Sequence, residues 1–420
     1  MLFLLREHIE FMDLYFTEGT VVLPDRLIPD GFVQVVGDAI QAVGDLSTLP
    51  KNLQGSRIDL QGGYLVPGYV DLHVHGGAGA DFMDGTEEAF RTVCQAHLRH
   101  GTTSLLPTTT VAHHDQHLRF LELCRHLCRE GTQGASILGA HFYGPYFAPD
   151  ARGCHPLEPI RPPQPEEYEQ YLAFADSIVT ATVAPELPGA EAFTRACRVR
   201  GVRCNAGHTY ATFDQMRAAV DWGVRHVDHL FCAMSDRARL RQSQTYPMRG
   251  GVVEATLFFD ELTTEVIADG KHLERELLML AYKIKGPDRL ALVTDCNRAL
   301  DMPDGEYVFG PQQGGERIYR RNGVGVMLDG QALASGVMGM DHGVQTFHRL
   351  TGIDLPLVVR MATLTPARIA GHDADIGSIV PGKKANLLVL DDALRVKQVY
   401  LGGKLVCENN NGNSKSQISN

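Results

Sequence analysis

Between residues 65 and 295 the chain alternates eight times between a short apolar run and a longer polar or amphipathic stretch. The runs are Leu65–His75, Thr102–Pro107, Ile137–Gly144, Ile178–Glu186, Val202–His208, His226–Phe231, Thr264–Asp269 and Leu290–Asp295. Glu87–Arg99 and His117–Glu130 show the helical pattern expected between them. A buried strand followed by a helix-length segment, repeated, is the signature of parallel β/α units. Eight such units over roughly 230 residues have the count and size of an α/β fold of the (β/α)8 TIM-barrel type. That architecture builds its active site from residues at the C-terminal ends of the strands. Here those ends carry His73 and His75, Thr108 to Thr110, Tyr143, Glu186, His208, His229, Asp269 with His272, and Asp295.

The segments outside this alternation have a different texture. Residues 13–60 hold short β-rich runs punctuated by Gly, Pro and Asp, such as Phe32-Val-Gln-Val-Val36 and Ala39-Ile-Gln-Ala-Val43. This is the mark of an antiparallel module. It returns in Ala385–Leu390 and Val396–Leu401, with a Gly402-Gly403 turn. The simplest arrangement joins residues 1–62 and 376–407 into one small β-domain and inserts the barrel, 63–375, between them. Residues 408–420 are polar and of low complexity, so a disordered tail is expected there.

Composition narrows the partners. A formal net charge of −11 argues against nucleic acid, because phosphate-backbone recognition needs a basic face. A small anionic substrate stays possible, since one or two local cations can hold it. Nine cysteines without a CxxC pair suggest reduced thiols and a cytoplasmic protein. Met1-Leu-Phe-Leu-Leu5 is too short an apolar run for a signal peptide, and no stretch approaches the ~20 apolar residues of a membrane span, so no membrane association is expected.

The chemistry begins with Asp71-Leu72-His73-Val74-His75. Alternate strand residues share a face, so two imidazoles about 7 Å apart along the backbone project together. By itself an H-x-H can equally be a solvated pair on a strand edge. His208 in Cys204-Asn-Ala-Gly-His-Thr209 and His229 in Val227-Asp-His-Leu-Phe231 end the fifth and sixth runs, and together the four favour a metal site. Neutral imidazoles with a carboxylate suit Zn²⁺, with Fe²⁺ or Mn²⁺ as alternatives. Asp295, in Ala291-Leu-Val-Thr-Asp-Cys296, closes the eighth run as a candidate general base and acid beside a metal-activated water. His155, in Arg152-Gly-Cys-His-Pro156, and His272, in Asp269-Gly-Lys-His272, lie in loops on the same face and can touch a substrate, or simply face water.

These motifs resemble the amidohydrolase superfamily, and within it the N-acetylglucosamine-6-phosphate deacetylases. The matching stretches include Val66-Pro-Gly-Tyr-Val-Asp-Leu-His-Val-His-Gly-Gly77, Gly101-Thr-Thr-Ser-Leu-Leu-Pro-Thr108, Thr182-Val-Ala-Pro-Glu186 and Ala206-Gly-His-Thr209. Others are His229-Leu-Phe-Cys-Ala-Met234, Ala268-Asp-Gly-Lys-His272, Val293-Thr-Asp295 and Pro381-Gly-Lys-Lys-Ala-Asn-Leu387, in the family's order along nearly the whole chain. The resemblance implies a metal-bearing TIM barrel with a β-sandwich made from both chain ends, and a homodimer. It implies His208 and His229 as metal ligands, Asp295 as the catalytic acid/base, and His155 and His272 as substrate contacts. Cys232 and Ala233 fall where the family's backbone approaches the sugar phosphate.

Three departures stand out. Tyr143, in His141-Phe-Tyr-Gly-Pro145, replaces the family's metal-ligand Glu, and a phenol of pKa ~10 is a poor ligand at neutral pH. The metal is then expected to lean on His73, His75 and Asp295, with Glu186 a weaker substitute. Arg249, in Tyr246-Pro-Met-Arg-Gly-Gly251, lies two positions later than the family's phosphate-binding Arg, with Arg237, Arg239 and Arg241 nearby. Cys232 stands where Asn is usual. The resulting expectation is a metal-dependent hydrolase that deacetylates an N-acetyl amino sugar, phosphorylated at position 6. Two alternatives are a deaminase or other C–N hydrolase on the same scaffold, and a sugar-binding relative without catalysis.

Overall fold

The run expected as one strand over 65–75 is two strands in two different sheets. The computed structural model describes residues 13–50, 54–242, 247–330 and 332–409. Tyr64–Pro67 pairs antiparallel with Leu387–Leu390 and parallel with Leu14–Val22. Tyr69–Val74 pairs parallel with Thr102–Pro107. Gly68 is the joint, its N–H donating to the Asn386 carbonyl at 2.8 Å. A Cβ there would fall 2.2 Å from Thr103 Oγ1, so only glycine permits this approach.

The parallel strands form two arcs. One contains Tyr69–Val74, Thr102–Pro107 and Ser136–Ile137; the other contains Ala140–Tyr143, Ile178–Val183, Arg203–Ala206, Val224–Val227, Thr263–Ile267 and Leu290–Val293. Isolated parallel bridges, Thr108 with His141 and Val74 with Cys296, join the arcs at both gaps. The third expected strand, 137–144, is also divided. Gly139 turns with φ 139°, and a Cβ on it would meet Val179 Cγ2 at 2.7 Å. That turn hands the chain from one arc to the next.

Local sequence explains the flanking helices. In Glu87–Arg99, Thr86 caps the N-terminus by accepting from the Ala89 N–H at 3.1 Å, and Glu87 and Glu88 sit at the positive end of the dipole. Phe90, Val93, Cys94 and Leu98 recur at helical spacing and are buried in the main core. At 1.5–3 kcal/mol for each large apolar side chain, roughly, such a stripe outweighs the weak intrinsic tendency of an isolated helix.

Both chain ends contribute to one eight-stranded sheet. Its order runs Lys404–Glu408, Val396–Leu401, Leu387–Leu390, Tyr64–Pro67, Leu14–Val22, Leu27–Val36 and Ala39–Asp45, with Ser56–Asp59 also on Leu14–Val22. The sheet is mixed, not purely antiparallel, because Tyr64–Pro67 and Ser56–Asp59 run parallel to Leu14–Val22. Phe16, Val33, Leu65, Leu387 and Tyr400 form its separate core. An antiparallel insert, Gly305–Phe309, Glu316–Arg321 and Val324–Met327, follows the last parallel strand and was not foreseen. Among the described residues no helix is long and apolar enough to cross a membrane. Of the expected tail, 410–420 lie outside the described residues.

Candidate active site

The strand Tyr69–Val74 and the end of Leu290–Val293 lie side by side, the Asp295 N–H donating to the His73 carbonyl at 2.9 Å. That pairing brings three expected residues together. His75 Nε2 is 3.2 Å and His73 Nε2 is 3.7 Å from Asp295 Oδ1. The other nitrogen of each ring is occupied: His73 Nδ1 lies 2.7 Å from Glu265 Oε1, and His75 Nδ1 lies 3.3 Å from the Thr108 carbonyl. With Nδ1 donating, it is Nε2 of each ring that faces the aspartate, the atom that would offer a lone pair to a shared cation.

Electrostatics at this point favour a cation. Burial opposes charging His73, but Asp295 and then Glu265 outweigh it and push its pKa up to about 9. Burial would raise Asp295, yet His73 and His75 hold its carboxyl well below the usual carboxylate range. His73 Nε2 is buried with no hydrogen-bond partner. One ligand atom from each of His73, His75 and Asp295 lies within 4.8 Å of the others. Two imidazole nitrogens and a carboxylate oxygen, one of them orphaned, fit a divalent metal ion.

His208, His229 and Tyr143 form a second group beside the first. His208 Nδ1–H donates to the Ala151 carbonyl at 2.7 Å, and its ring stacks on Phe147 at 4.4 Å between centroids. The Tyr143 hydroxyl is 2.5 Å from His229 Nε2, while His229 Nδ1 is buried without a partner. Burial first, then neighbouring imidazoles, keeps both His208 and His229 below the ordinary histidine range, His229 at about 4. His208, His229 and Asp295 all have left-handed backbones, with φ of 45°, 21° and 48°. Such residues cost roughly 1–3 kcal/mol each and cluster where function demands a particular side-chain direction.

These groups open into a cavity of about 700 Å³. His155 and His272 line it, as do Cys232 and Ala233. His155 Nδ1 accepts from the Val111 N–H at 3.2 Å, which leaves the proton on Nε2. His272 Nδ1 is bound to Asp269 Oδ2 at 2.8 Å; burial opposes its charging, but Asp269 raises its pKa. Phe309, from the antiparallel insert, packs edge-on to His75 and His155 at about 5 Å and backs both rings.

Two expected residues are not brought to the cavity. Arg249 is exposed, its nearest carboxylate Asp214 Oδ2 at 3.6 Å. Glu186 turns away to accept from the Tyr210 N–H at 2.6 Å and from the Thr209 hydroxyl, so its oxygens are spent on the following loop. Three residues were missed. Arg152 is the arginine that lines the cavity among the described side chains. Glu265 binds His73, His226 Nε2 at 3.1 Å and the His229 N–H at 3.3 Å. Asp228 accepts from Thr182 Oγ1 at 2.6 Å and Asn205 Nδ2 at 2.8 Å. Asp228 was legible in part, as a carboxylate beside His229.

A sequence model of the amidohydrolase family matches residues 64–406. The chain belongs to the amidohydrolase family. This amidohydrolase is 34% identical over 342 residues, 81% of its own length and 87% of the relative's, to an N-acetylgalactosamine-6-phosphate deacetylase of Escherichia coli O157:H7. It is 30% identical over 389 residues, 92% and 94% of the two chains, to an N-acetylglucosamine-6-phosphate deacetylase of Lysinibacillus sphaericus. The crystal structure of the Pasteurella multocida N-acetylglucosamine-6-phosphate deacetylase superposes with a TM-score of 0.85 at 30% identity, covering 94% of this amidohydrolase and 99% of that chain. A Mycobacterium smegmatis deacetylase solved with N-acetyl-D-glucosamine-6-phosphate gives 0.84 at 30% identity, covering 94% and 98%.

Proposed function

We propose that this amidohydrolase removes the acetyl group from an N-acetyl amino sugar 6-phosphate, N-acetylglucosamine-6-phosphate or its galacto isomer. The observation that carries the reading is the meeting of His73, His75 and Asp295 beside a cavity of about 700 Å³. The named activities of the relatives support the substrate class. The two arcs and their bridging pairs are read as one (β/α)8 barrel, and the mixed sheet from both chain ends as a β-sandwich that takes in Tyr64–Pro67. A cytoplasmic homodimer completes the assignment.

His73, His75 and Asp295 would hold a divalent ion, Zn²⁺ in preference to Fe²⁺ or Mn²⁺. When bound, such an ion supplies Lewis acidity toward water and the acetyl carbonyl. Asp295, kept ionised by His73 and His75, takes the proton of the attacking water. It returns that proton to the sugar nitrogen as the C–N bond breaks, releasing acetate and the free amine. His155 Nε2–H can donate to the acetyl oxygen or to a sugar hydroxyl in the cavity. Arg152 is placed to meet the phosphate, which Arg249 is not.

The test is product detection on both isomers with protein of measured metal content. Ion-dependent acetate release supports the proposal. Ammonia release would make the enzyme a deaminase. Neither product, with no ion bound after Zn²⁺, Mn²⁺ or Fe²⁺ is supplied, would leave a sugar-binding protein without catalysis.

A further inference from the structure

We infer that Tyr143 closes the His208–His229 position to metal, so that each chain holds a single ion, at His73, His75 and Asp295. The inference rests on the metal-dependent reading above and adds the number of ions and the residue that sets it. The resemblance to the deacetylases places a carboxylate at position 143. A carboxylate there would give His208 and His229 an anionic third donor. Tyr143 supplies a neutral hydroxyl instead.

The geometry shows what that hydroxyl does. It lies 2.5 Å from His229 Nε2, and a neutral phenol meets an imidazole nitrogen by donating its O–H. The Nε2 lone pair is then spent, and the ring proton sits on Nδ1. His208 keeps one outward nitrogen, because its Nδ1–H is held by the Ala151 carbonyl. One imidazole is not a site. The Tyr143 ring also fills the space, packed 5.3 Å from His208 and 4.7 Å from Phe147 and fully buried.

The donor groups agree. Among the described residues two sets of three donors come within 4.8 Å, and neither contains His208 or His229. The second set, His73 with Asp228 and Glu265, is already consumed internally. Glu265 takes His73 Nδ1 and His226 Nε2, and the two oxygens of Asp228 accept from Thr182 and Asn205. Of the two sets, His73 with His75 and Asp295 is the one whose ring nitrogens and carboxylate face a common point without being consumed. His208 is left with one outward nitrogen at the cavity, able to meet a sugar hydroxyl.

Metal counting tests this without reference to turnover. Full-length protein is saturated with Zn²⁺, desalted and measured for zinc per chain by mass spectrometry. Wild type should hold one equivalent; two would overturn the inference while leaving the deacetylase reading intact. No ion at all would overturn both. His75→Ala should bring the count near zero, whereas His229→Asn should keep it at one, and loss of the ion from His229→Asn would refute the assignment. Tyr143→Glu, checked for native circular dichroism, should rise to two equivalents. If it folds and stays at one, Tyr143 is not the residue that sets the number.

Discussion

Glu265 is the residue whose removal should most clearly separate a ligand from its support. Its side chain is 1% exposed, and Oε1 sits 2.7 Å from His73 Nδ1 and 3.3 Å from the His229 N–H, with Oε2 3.1 Å from His226 Nε2. Burial would raise its pKa, but His226 and His73 hold it well below the ordinary value, so it is a buried anion. That anion fixes the His73 proton on Nδ1 and makes Nε2 more basic. In Glu265→Gln one imidazole can still donate to the amide oxygen, while the other faces an NH₂ donor. A charge-assisted hydrogen bond nets about 1.5–3 kcal/mol against about 0.5–1.5 for a neutral one, so the imidazole that keeps a bond loses about 1–1.5 kcal/mol and the one left facing NH₂ loses about 1.5–3 kcal/mol. Changes to such partners of ligating histidines cost about 10–100-fold in metal affinity, or about 1.4–2.7 kcal/mol. Competition against a chromophoric zinc chelator measures this directly. An affinity within about threefold of wild type would refute the supporting role, and a loss as complete as that of His75→Ala would make Glu265 a ligand.

Other consequences follow from single contacts. Arg152→Ala should raise KM for the phosphorylated sugar by about 10–100-fold, the loss expected for one charge-assisted contact, and leave the unphosphorylated sugar almost unchanged. An equal effect on both sugars in steady-state kinetics would remove Arg152 from the phosphate. His100 bridges Asp341 Oδ1 at 3.0 Å and Asp301 Oδ1 at 2.9 Å; burial opposes its charging, but Asp341 and Asp301 push its pKa up to about 10. A raised folded pKa stabilises fully below the unfolded value near 6.5 and is lost as pH climbs through 10. His100→Gln should therefore lower the unfolding free energy read from urea titration by roughly 1–3 kcal/mol at pH 6, and much less at pH 10.5. An equal loss at both pH values would contradict the ion-pair account. Gly68→Ala should destabilise by more than about 1 kcal/mol, because its Cβ would lie 2.2 Å from Thr103 Oγ1, and a thermal midpoint equal to wild type would refute that crowding.

What the sequence made legible was which strand-end side chains the fold brings together. His73, His75, His208, His229 and Asp295 stood out because a strand that ends in a polar residue after an apolar run is a local pattern. They converge only because the strands are parallel and adjacent, which the β/α alternation implies. What stayed hidden depends on contacts between strands far apart in sequence. Glu265 lies inside a strand, where one carboxylate between Thr264 and Val266 reads as a solvent-facing alternation. Its burial appears only when His73 and His226 arrive from other strands. Arg152 carries no signal of its own in a loop whose histidine draws attention, and Glu186 resembles a strand-end carboxylate although its oxygens go to Tyr210 and Thr209. The runs divided at Gly68 and Gly139 read as continuous in sequence because apolar residues continue through both. In each the clue was the glycine, whose missing Cβ permits a close approach that sequence spacing does not reveal.

The most direct test of the account is acetate release from N-acetylglucosamine-6-phosphate and N-acetylgalactosamine-6-phosphate by wild type and Asp295→Asn, both assayed in saturating zinc with rates taken per bound ion. Wild type should release acetate and no ammonia from at least one isomer, and Asp295→Asn should lose about 10²–10⁴-fold in kcat, the range of a general acid–base group. Ammonia as the product, or a wild-type rate in Asp295→Asn, would contradict it.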